Sequence, residues 1–451
     1  MGAIDRAVLS AMQNARNVAV VGSGISGLAC AWLLSQRYRV TLFEAAPRLG
    51  GHTNTVDVTL DGKTHPVDTG FLVFNEKTYP NLIALFDTLG VESVQTEMSF
   101  AVSLENPDLE WAGSSLATVF GQKRNLLRPA FWTMLSDILR FNRESTAWLA
   151  VHPGDERPLD DFLKEGRYSD AFADWYLLPM AAAIWSCPTA QMRDMPLATF
   201  VRFCQNHGLL QIFDRPMWRT VRGGGREYVN KIAAQLDDVR LASPVQRVTR
   251  EASGLRVTHA QGSEVFDQVV LACHSDQSLA ILGETASAGQ REVLASVRYQ
   301  PNRAVLHTDT RLLPRDRKLW SAWNYFAGSG DPGEQPVGVS YLINRLQPLP
   351  FETPVVVTLN PAREPDPAKV IAEFDYDHPI FDASAIVAQQ RLADDTLGIQ
   401  GEGGVWLAGA WGRFGFHEDG LRSALRVANL MGIAAPWQKV PASLSPAVAR
   451  A

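Results

Sequence analysis

The residues with the clearest chemical purpose lie close to the start of the chain. Gly22-Ser23-Gly24-Ile25-Ser26-Gly27 follows the apolar run Asn17-Val18-Ala19-Val20-Val21 and precedes the Ala/Leu-rich stretch Leu28 to Ser35. A strand, a G-x-G-x-x-G turn and a helix in that order form a site for a dinucleotide pyrophosphate. The glycines allow a tight turn and a close backbone approach, and the helix N-terminus offers unpaired N–H groups and positive dipole to the anion. A second apolar strand, Arg39-Val40-Thr41-Leu42-Phe43, ends in Glu44. That spacing, roughly 20 residues beyond the first glycine, places a carboxylate where it can accept hydrogen bonds from a ribose diol.

The segment after Glu44 narrows the choice of dinucleotide. Ala45-Ala46-Pro47-Arg48-Leu49-Gly50-Gly51-His52 resembles the R-x-G-G-R-type segment of the flavin amine oxidase and phytoene desaturase superfamily. In that family Gly50 and Gly51 bring backbone to the cofactor and the next side chain faces phosphate. Here that side chain is His52, with one donor and no fixed charge, where the family usually carries an arginine fork. Pro66-Val67-Asp68-Thr69-Gly70-Phe71 resembles the V-D-x-G turn that passes beside the flavin, which implies Thr69, Gly70 and Phe71 as contacts. Arg222 to Val229 is similar to the family's G-G-x-x-x-L turn and helix, and Phe266 to Cys273 to its D-x-V-I-x-A strand. In Leu241 to Val248 the resemblance makes Val245 the contact to the adenine.

Near the C-terminus, Val405-Trp406-Leu407-Ala408-Gly409 reads as a buried strand, and Glu418-Asp419-Gly420-Leu421-Arg422-Ser423-Ala424 as the start of a helix. The resemblance implies that Gly409, Ala410, Asp419, Gly420 and Leu421 close over the ribityl chain and pyrimidine end of the flavin. A helix N-terminus there stabilises negative charge on the reduced ring. Trp411 stands where an acidic residue is common, which passes its work to backbone donors around Ala410. Matching segments at both ends of the chain imply FAD rather than NAD.

The fold implied is α/β: a Rossmann-like FAD-binding domain, discontinuous in sequence, with an α+β substrate domain. Cofactor motifs occupy about 14–75, 220–290 and 400–435, leaving 80–215 and 295–400 for the substrate domain. Segment 80–215 shows helical periodicity, with Leu127, Phe131, Met134, Leu135 and Ile138 on one stripe. Segment 295–400 alternates, as in Arg303 to Thr308 and Val337 to Leu342, and predicts strands. The Pro/Ala/Ser-rich tail, 436–451, reads as loose.

A chain of 451 residues allows two or three domains and a large core. With 46% hydrophobic and 20% charged residues it is an ordinary globular composition, and a net charge of −6 argues against nucleic acid as a partner. Cys30, Cys187, Cys204 and Cys273 show no C-x-x-C pair and no metal spacing, which suits free thiols in a reducing compartment. Residues 1–16 lack a signal-peptide pattern, and no run of about 18 apolar residues is present. Together these predict a cytoplasmic location.

Aromatic residues gather where a substrate domain should face the flavin, and Trp185, Trp323, Tyr341, Asn344, Trp411 and Phe416 are the candidate substrate contacts. The polar residues nearest them are Asn324, Asn344, His307 and His417, without an acidic pair to hold an ammonium group. His417 is a candidate acid or base, or a cap of the following helix; Lys318, a candidate for the family's lysine near flavin N5, lies in a polar run that reads as a solvated loop. Two segments have alternative readings. Residues 122–143, with Lys123, Arg124, Arg128, Arg140 and Arg143 among Leu and Trp, suit a peripheral membrane contact or a core-facing helix with a basic outer side. Leu177 to Trp185 suits a core helix or the wall of an acyl tunnel.

Gly50 to Thr55 and His417 to Ala424 are most similar to a bacterial subgroup associated with cyclopropane and other modified fatty acids. That resemblance implies dehydrogenation of a lipidic acyl substrate by hydride transfer to flavin N5. The alternatives are an amine oxidase releasing imine and hydrogen peroxide, a carotenoid or polyene desaturase or isomerase, and a flavin-binding partner of a lipid methyltransferase. Because no cysteine lies in the C-terminal flavin segment, FAD should be held non-covalently. Acid or heat denaturation should release yellow FAD into the supernatant; colour that stays with the precipitated chain would refute non-covalent binding.

Overall fold

The computed structural model describes residues 16–155, 157–211, 215–328 and 338–438. Five parallel strands form the first sheet, in the order Asp238–Arg240, Arg39–Phe43, Asn17–Val21, Gln268–Leu271 and Val405–Leu407. The two strands that open the chain are buried along nearly their whole length. Parallel strands covered on both faces are continuous apolar runs for that reason. Helix Ile25–Leu34 lies on this sheet with all ten of its residues buried, and helix His417–Leu430 packs beside it.

The second sheet has seven strands, in the order Val370–Asp375, Arg303–His307, Val356–Leu359, Gly338–Leu342, Trp323–Ala327, Phe100–Leu104 and Leu109–Ala112. Its pairs are antiparallel except where Phe100–Leu104 runs parallel to Trp323–Ala327. Helices Pro129–Val151, Leu178–Trp185 and Leu197–Asn206 share a core with this sheet. The α/β class and the pairing of a parallel nucleotide-type sheet with a mixed second layer match the sequence expectation.

Three details depart from it. Segment 80–215 is not helical throughout: Ser93–Thr96, Phe100–Leu104 and Leu109–Ala112 are strands. Leu109–Ala112 is buried at every position and Phe100–Leu104 at all but its first, so neither shows the alternation that marks a strand. Leu127 is off the apolar stripe, because Pro129 starts the helix and Leu127 ends the preceding 3-10 turn in solvent. The tail is anchored at its start. The Trp437 ring stacks 6.2 Å from Trp32, and its Nε1–H donates to Asn81 at 3.2 Å. The rest of the tail, 439–451, and the N-terminal 1–15 lie outside the described residues, as does Val337.

Helix Pro129–Val151 buries Phe131, Met134, Phe141 and Leu149 against the core, which favours the core-facing reading for the helix proper. Among the described residues, no helix is long and apolar enough to cross a membrane.

Candidate functional site

A single cavity of about 750 Å³ runs from the first βα turn to the second sheet. Its nucleotide-like end is built by close backbone contacts. Gly22 has φ +98° and donates its N–H to Phe43 at 2.8 Å, which ties the turn to the second strand. A Cβ on Gly27 would stand 1.8 Å from the Gly22 carbonyl oxygen, so only glycine lets the helix start against the turn. Gly24 is the opposite case. A Cβ there would meet nothing within 4 Å, and Gly24 lines the cavity. The helix that Gly24 caps has no side-chain cap, leaving its first N–H groups for an anion.

Glu44 sits on the cavity rim, and its carboxylate already serves the chain. Oε2 accepts from the Ser23 N–H at 2.9 Å and the Ser23 hydroxyl at 2.5 Å, and Oε1 accepts from the Ala46 N–H at 2.8 Å. With about four acceptor positions on a carboxylate, little capacity remains for a diol unless the Ser23 hydroxyl turns away. Ala45, Gly50, Gly51 and Val245 line the same end. Gly51 presses on the turn so closely that a Cβ would lie 3.1 Å from Gly24 Cα.

His52 lines the cavity next to Gly51, among a group of rings. Its ring lies 5.1 Å from Tyr376, 5.4 Å from His378 and 6.1 Å from His274, and its Nε2 is buried without a partner. Burial and the neighbouring imidazoles hold its pKa well below the usual range, so it is a neutral ring in a histidine cluster. Gly70 is fixed beside it, since a Cβ would come 2.1 Å from the His52 carbonyl oxygen. Thr69 donates to the Asn54 carbonyl at 3.0 Å and shares a 2.8 Å bond with the Tyr376 hydroxyl. Phe71 stacks on His417 at 3.7 Å.

The C-terminal segment divides into wall and support. Gly409, Ala410, Trp411, Phe416 and His417 line the cavity. Asp419, Gly420 and Leu421 do not; nor does Gly27. Gly420 packs on the first helix, where a Cβ would come 2.7 Å from Ile25 Cγ2, and its carbonyl accepts from Ser26 Oγ at 3.0 Å. Leu421 is fully buried in that seam. Asp419 accepts from the Phe416 N–H at 3.2 Å, and burial pushes its carboxyl up to about 6. These residues position the wall rather than form it. Trp411 sends its Nε1–H back to the Cys273 carbonyl at 3.3 Å, and its ring explains Gly409, where a Cβ would stand 2.2 Å from Trp411 Nε1. Cys273 also lines the cavity, but burial pushes its thiol up to about 11.

The other end of the cavity is an aromatic chamber. Trp185, Trp323, Tyr341 and Phe416 line it, joined by Phe203, which lies 4.5 Å from Trp185 and 5.2 Å from Phe416. Tyr341 and Trp323 meet edge to face at 4.9 Å. The Leu177–Trp185 run is core helix for most of its length and meets the cavity at its end. Leu178 to Ala183 are core, while Ile184 and Trp185 are wall. Ser186 follows at φ +54°, a left-handed conformation that turns the chain at the chamber.

Asn344 is withdrawn from the substrate set. Its amide bonds the Phe351 and Thr353 carbonyls and the Val355 N–H, away from the cavity. Asn324 and His307 are likewise spent on neighbours in the second sheet. Lys318 lies in an exposed turn outside the cavity. His417 is in the wall; its Nε2 meets Thr53 Oγ1 at 2.8 Å and Tyr228 Oη at 3.2 Å, and burial lowers its pKa to about 3.

Sequence reasoning missed His207. It ends helix Leu197–Asn206, stacks on Phe203 at 4.0 Å and lines the chamber. Its Nδ1 lies 3.0 Å from the Phe203 carbonyl, which can only accept, so Nδ1 carries the proton and Nε2 keeps a lone pair. Burial lowers its pKa to about 4. No local motif marks it, because only the packing of its helix against the wall brings it here.

A sequence model of flavin-containing amine oxidoreductases matches residues 25–431. The chain belongs to that family. The family is flavin-containing, and the uncapped helix, the open cradle at Gly24 and the orphaned His52 Nε2 fit a flavin dinucleotide. The chain is 27% identical over 307 residues to a carotenoid phi-ring synthase of Streptomyces griseus, covering 62% of this chain and 56% of that one. The carotenoid phi-ring synthase of Chlorobaculum tepidum is 25% identical over 298 residues, 62% of this chain and 42% of that one. The chain thus spans about half the length of the curated relatives it matches. A fatty acid isomerase from P. acnes superposes with a TM-score of 0.64 at 16% identity, covering 93% of this chain and 98% of that one. For a putrescine oxidase the values are 0.61 and 19%, with 92% and 98% covered. At those identities the likeness is of fold alone.

The two glycines separate folding from binding. Gly27→Ala should lower stability by about 1–3 kcal/mol or more through the clash with Gly22. Gly24→Ala should melt like the parent without cofactor yet purify with less FAD; equal behaviour of the two variants would contradict the geometry.

Acid should destabilise the protein. His52, His207, His274, His307, His378 and His417, six of nine histidines, all have pKa values lowered by burial. Unfolded, each returns to about 6.5, so their stabilisation is complete above that pH and is lost as pH falls toward the folded values. Asp68 and Asp419, raised to about 6 by burial, act in the opposite sense and offset part of this. The melting temperature should fall between about pH 7.5 and about pH 5; a flat or rising trend would contradict the assignment of neutral buried rings.

Proposed function

We propose that the protein removes hydride from a C–H bond of a long-chain lipid held in the aromatic chamber. The observation that carries this reading is the chamber wall itself. Of the cavity's two acidic lining residues, Glu44 belongs to the nucleotide end and Asp377 adjoins the histidine cluster through His378. An ammonium group buried against the remaining wall would cost several kcal/mol without a partner. An acyl or polyene chain meets no such cost there, and ring faces supply its contact area.

Gly22, Ser23, Gly24, Ser26 and Glu44 would hold the adenosine and pyrophosphate, with Ala45 and Val245 beside the adenine. Gly50, Gly51, Thr69, Gly70 and Phe71 would flank the middle of the cofactor, and Gly409, Ala410 and His417 its flavin end. When bound, FAD supplies the hydride acceptor. Dehydrogenation then requires that a second hydrogen leave as a proton. His207, which lines the chamber and whose Nε2 keeps its lone pair, is the group we assign to take it. His417 stays neutral and holds its place through Thr53, Tyr228 and the face of Phe71. The rings of Phe203, Phe416 and Trp185 keep water from the reacting carbon. A polyene is the second reading, supported by the similarity to two carotenoid phi-ring synthases.

Anaerobic mixing of the FAD-loaded protein with long-chain fatty acids, phospholipids or polyenes should bleach the oxidised flavin band. Polyamines and aromatic amines should leave it unchanged. Bleaching by polyenes alone would move the reading to the second one; bleaching by an amine with silence toward every lipid would overturn both. His207→Gln should keep its FAD and its KM while kcat falls at least about 100-fold. An unchanged kcat would remove His207 from the chemistry.

A further inference from the structure

Four large apolar side chains crowd one corner of the surface. Leu116 is 79% exposed, Leu126 47%, Leu127 86% and Trp132 50%. They come from the short helix Leu116–Val119, the turn Lys123–Leu127 and the first turn of helix Pro129–Val151. The base beneath them is firmly built. Trp132 Nε1–H donates to the Leu126 carbonyl at 2.9 Å, and the Trp132 ring lies 5.1 Å from Phe120. Arg124 and Arg128 both donate to the Asp108 carbonyl at 2.9 Å. The apolar tips are therefore held outward.

Cations surround the same corner. Lys123, Arg124 and Arg128 belong to the turn and its end, and Arg315, Arg317 and Lys318 to the neighbouring turn. The two turns touch: a Cβ on Gly121 would come 2.6 Å from Leu319 Cδ2, and Asp108 is bridged by both Arg124 and Arg315. Against these six cations stand Asp108, Glu110 and Asp316. A basic corner with exposed leucines and a tryptophan is the reverse of a chain whose net charge is −6.

We infer that this corner docks the protein on an anionic lipid surface. Leu126, Leu127 and Trp132 enter the boundary between headgroups and acyl chains, and the surrounding cations meet lipid phosphates. Charge complementarity favours an anionic lipid surface over an isologous pairing of two copies, which would set these cations against one another. The contact is peripheral, since no described helix can span a bilayer. It does not depend on the substrate reading: a protein acting on a soluble molecule would dock equally well.

The test is sedimentation of the FAD-loaded full chain with vesicles of phosphatidylcholine alone or mixed with phosphatidylglycerol. The protein should pellet with the anionic vesicles at low salt and be released as salt rises. The double variant Lys123→Glu/Lys318→Glu should bind the anionic vesicles more weakly, by roughly fivefold or more for each cation removed. Leu116→Glu/Leu127→Glu, at the two most exposed of these side chains, should lose binding while keeping flavin content and melting temperature, which separates lost docking from lost folding. Wild-type protein left in the supernatant, binding indifferent to headgroup charge, or variants that pellet like the parent would each overturn the inference. A dimer dissolved by Leu127→Glu, without lipid binding, would assign the surface to a second copy instead.

Discussion

Everything functional in this fold rests on the seam between helix Ile25–Leu34 and helix His417–Leu430. Its tightest point is the bond from Ser26 Oγ to the Gly420 carbonyl, 3.0 Å long and 394 residues apart in sequence. Gly420 has no side chain because one would collide with Ile25 and Ser26, and Gly27 has none because one would collide with Gly22. Two absent methyl groups thus let two helix N-termini converge on one cavity. The first offers its uncapped N–H groups at the nucleotide end, and the second presents Phe416 and His417 at the other. The loop-closure cost of joining the chain's two ends is offset by the buried apolar surface they share, Leu28, Leu421, Ala424 and Leu425 among it.

The cavity between them is poor in charge by construction. Burial keeps His52, His207, His378 and His417 neutral, and it raises the Cys273 thiol. Neutral imidazoles accept or donate single hydrogen bonds without the desolvation cost of an ion. Such a wall offers apolar contact area in place of charge.

Much of the nucleotide end was legible in the sequence because backbone chemistry governs it. Glycine spacing, a strand-terminal carboxylate and a helix start are local properties, and the strand, turn and helix form where that spacing implied, with the Glu44 carboxylate bonded to Ser23 and Ala46. The seam residues Gly27, Asp419, Gly420 and Leu421 were recognised as part of the motif but not as its support, since a motif does not say which of its residues face inward. The chamber was harder to read. Asn344, Asn324 and His307 stand among aromatics in sequence, yet pairing of their strands turns Asn324 and His307 to neighbours and the short helix Ile343–Leu346 turns Asn344 to the loop that follows it. His207 carries no pattern at all. It reaches the cavity because helix Leu197–Asn206 buries Phe200 and Phe203, a tertiary fact with no short-range signature.

A lipid substrate requires a chamber that takes a long apolar chain without a charged anchor. A structure of the FAD-loaded protein crystallised with a long-chain fatty acid tests it most directly. Acyl density should lie inside the chamber, in contact with Ile184, Trp185, Phe203 and Phe416 and within reach of His207. A chamber that excludes the acid but encloses a diamine paired with Asp377 would contradict it.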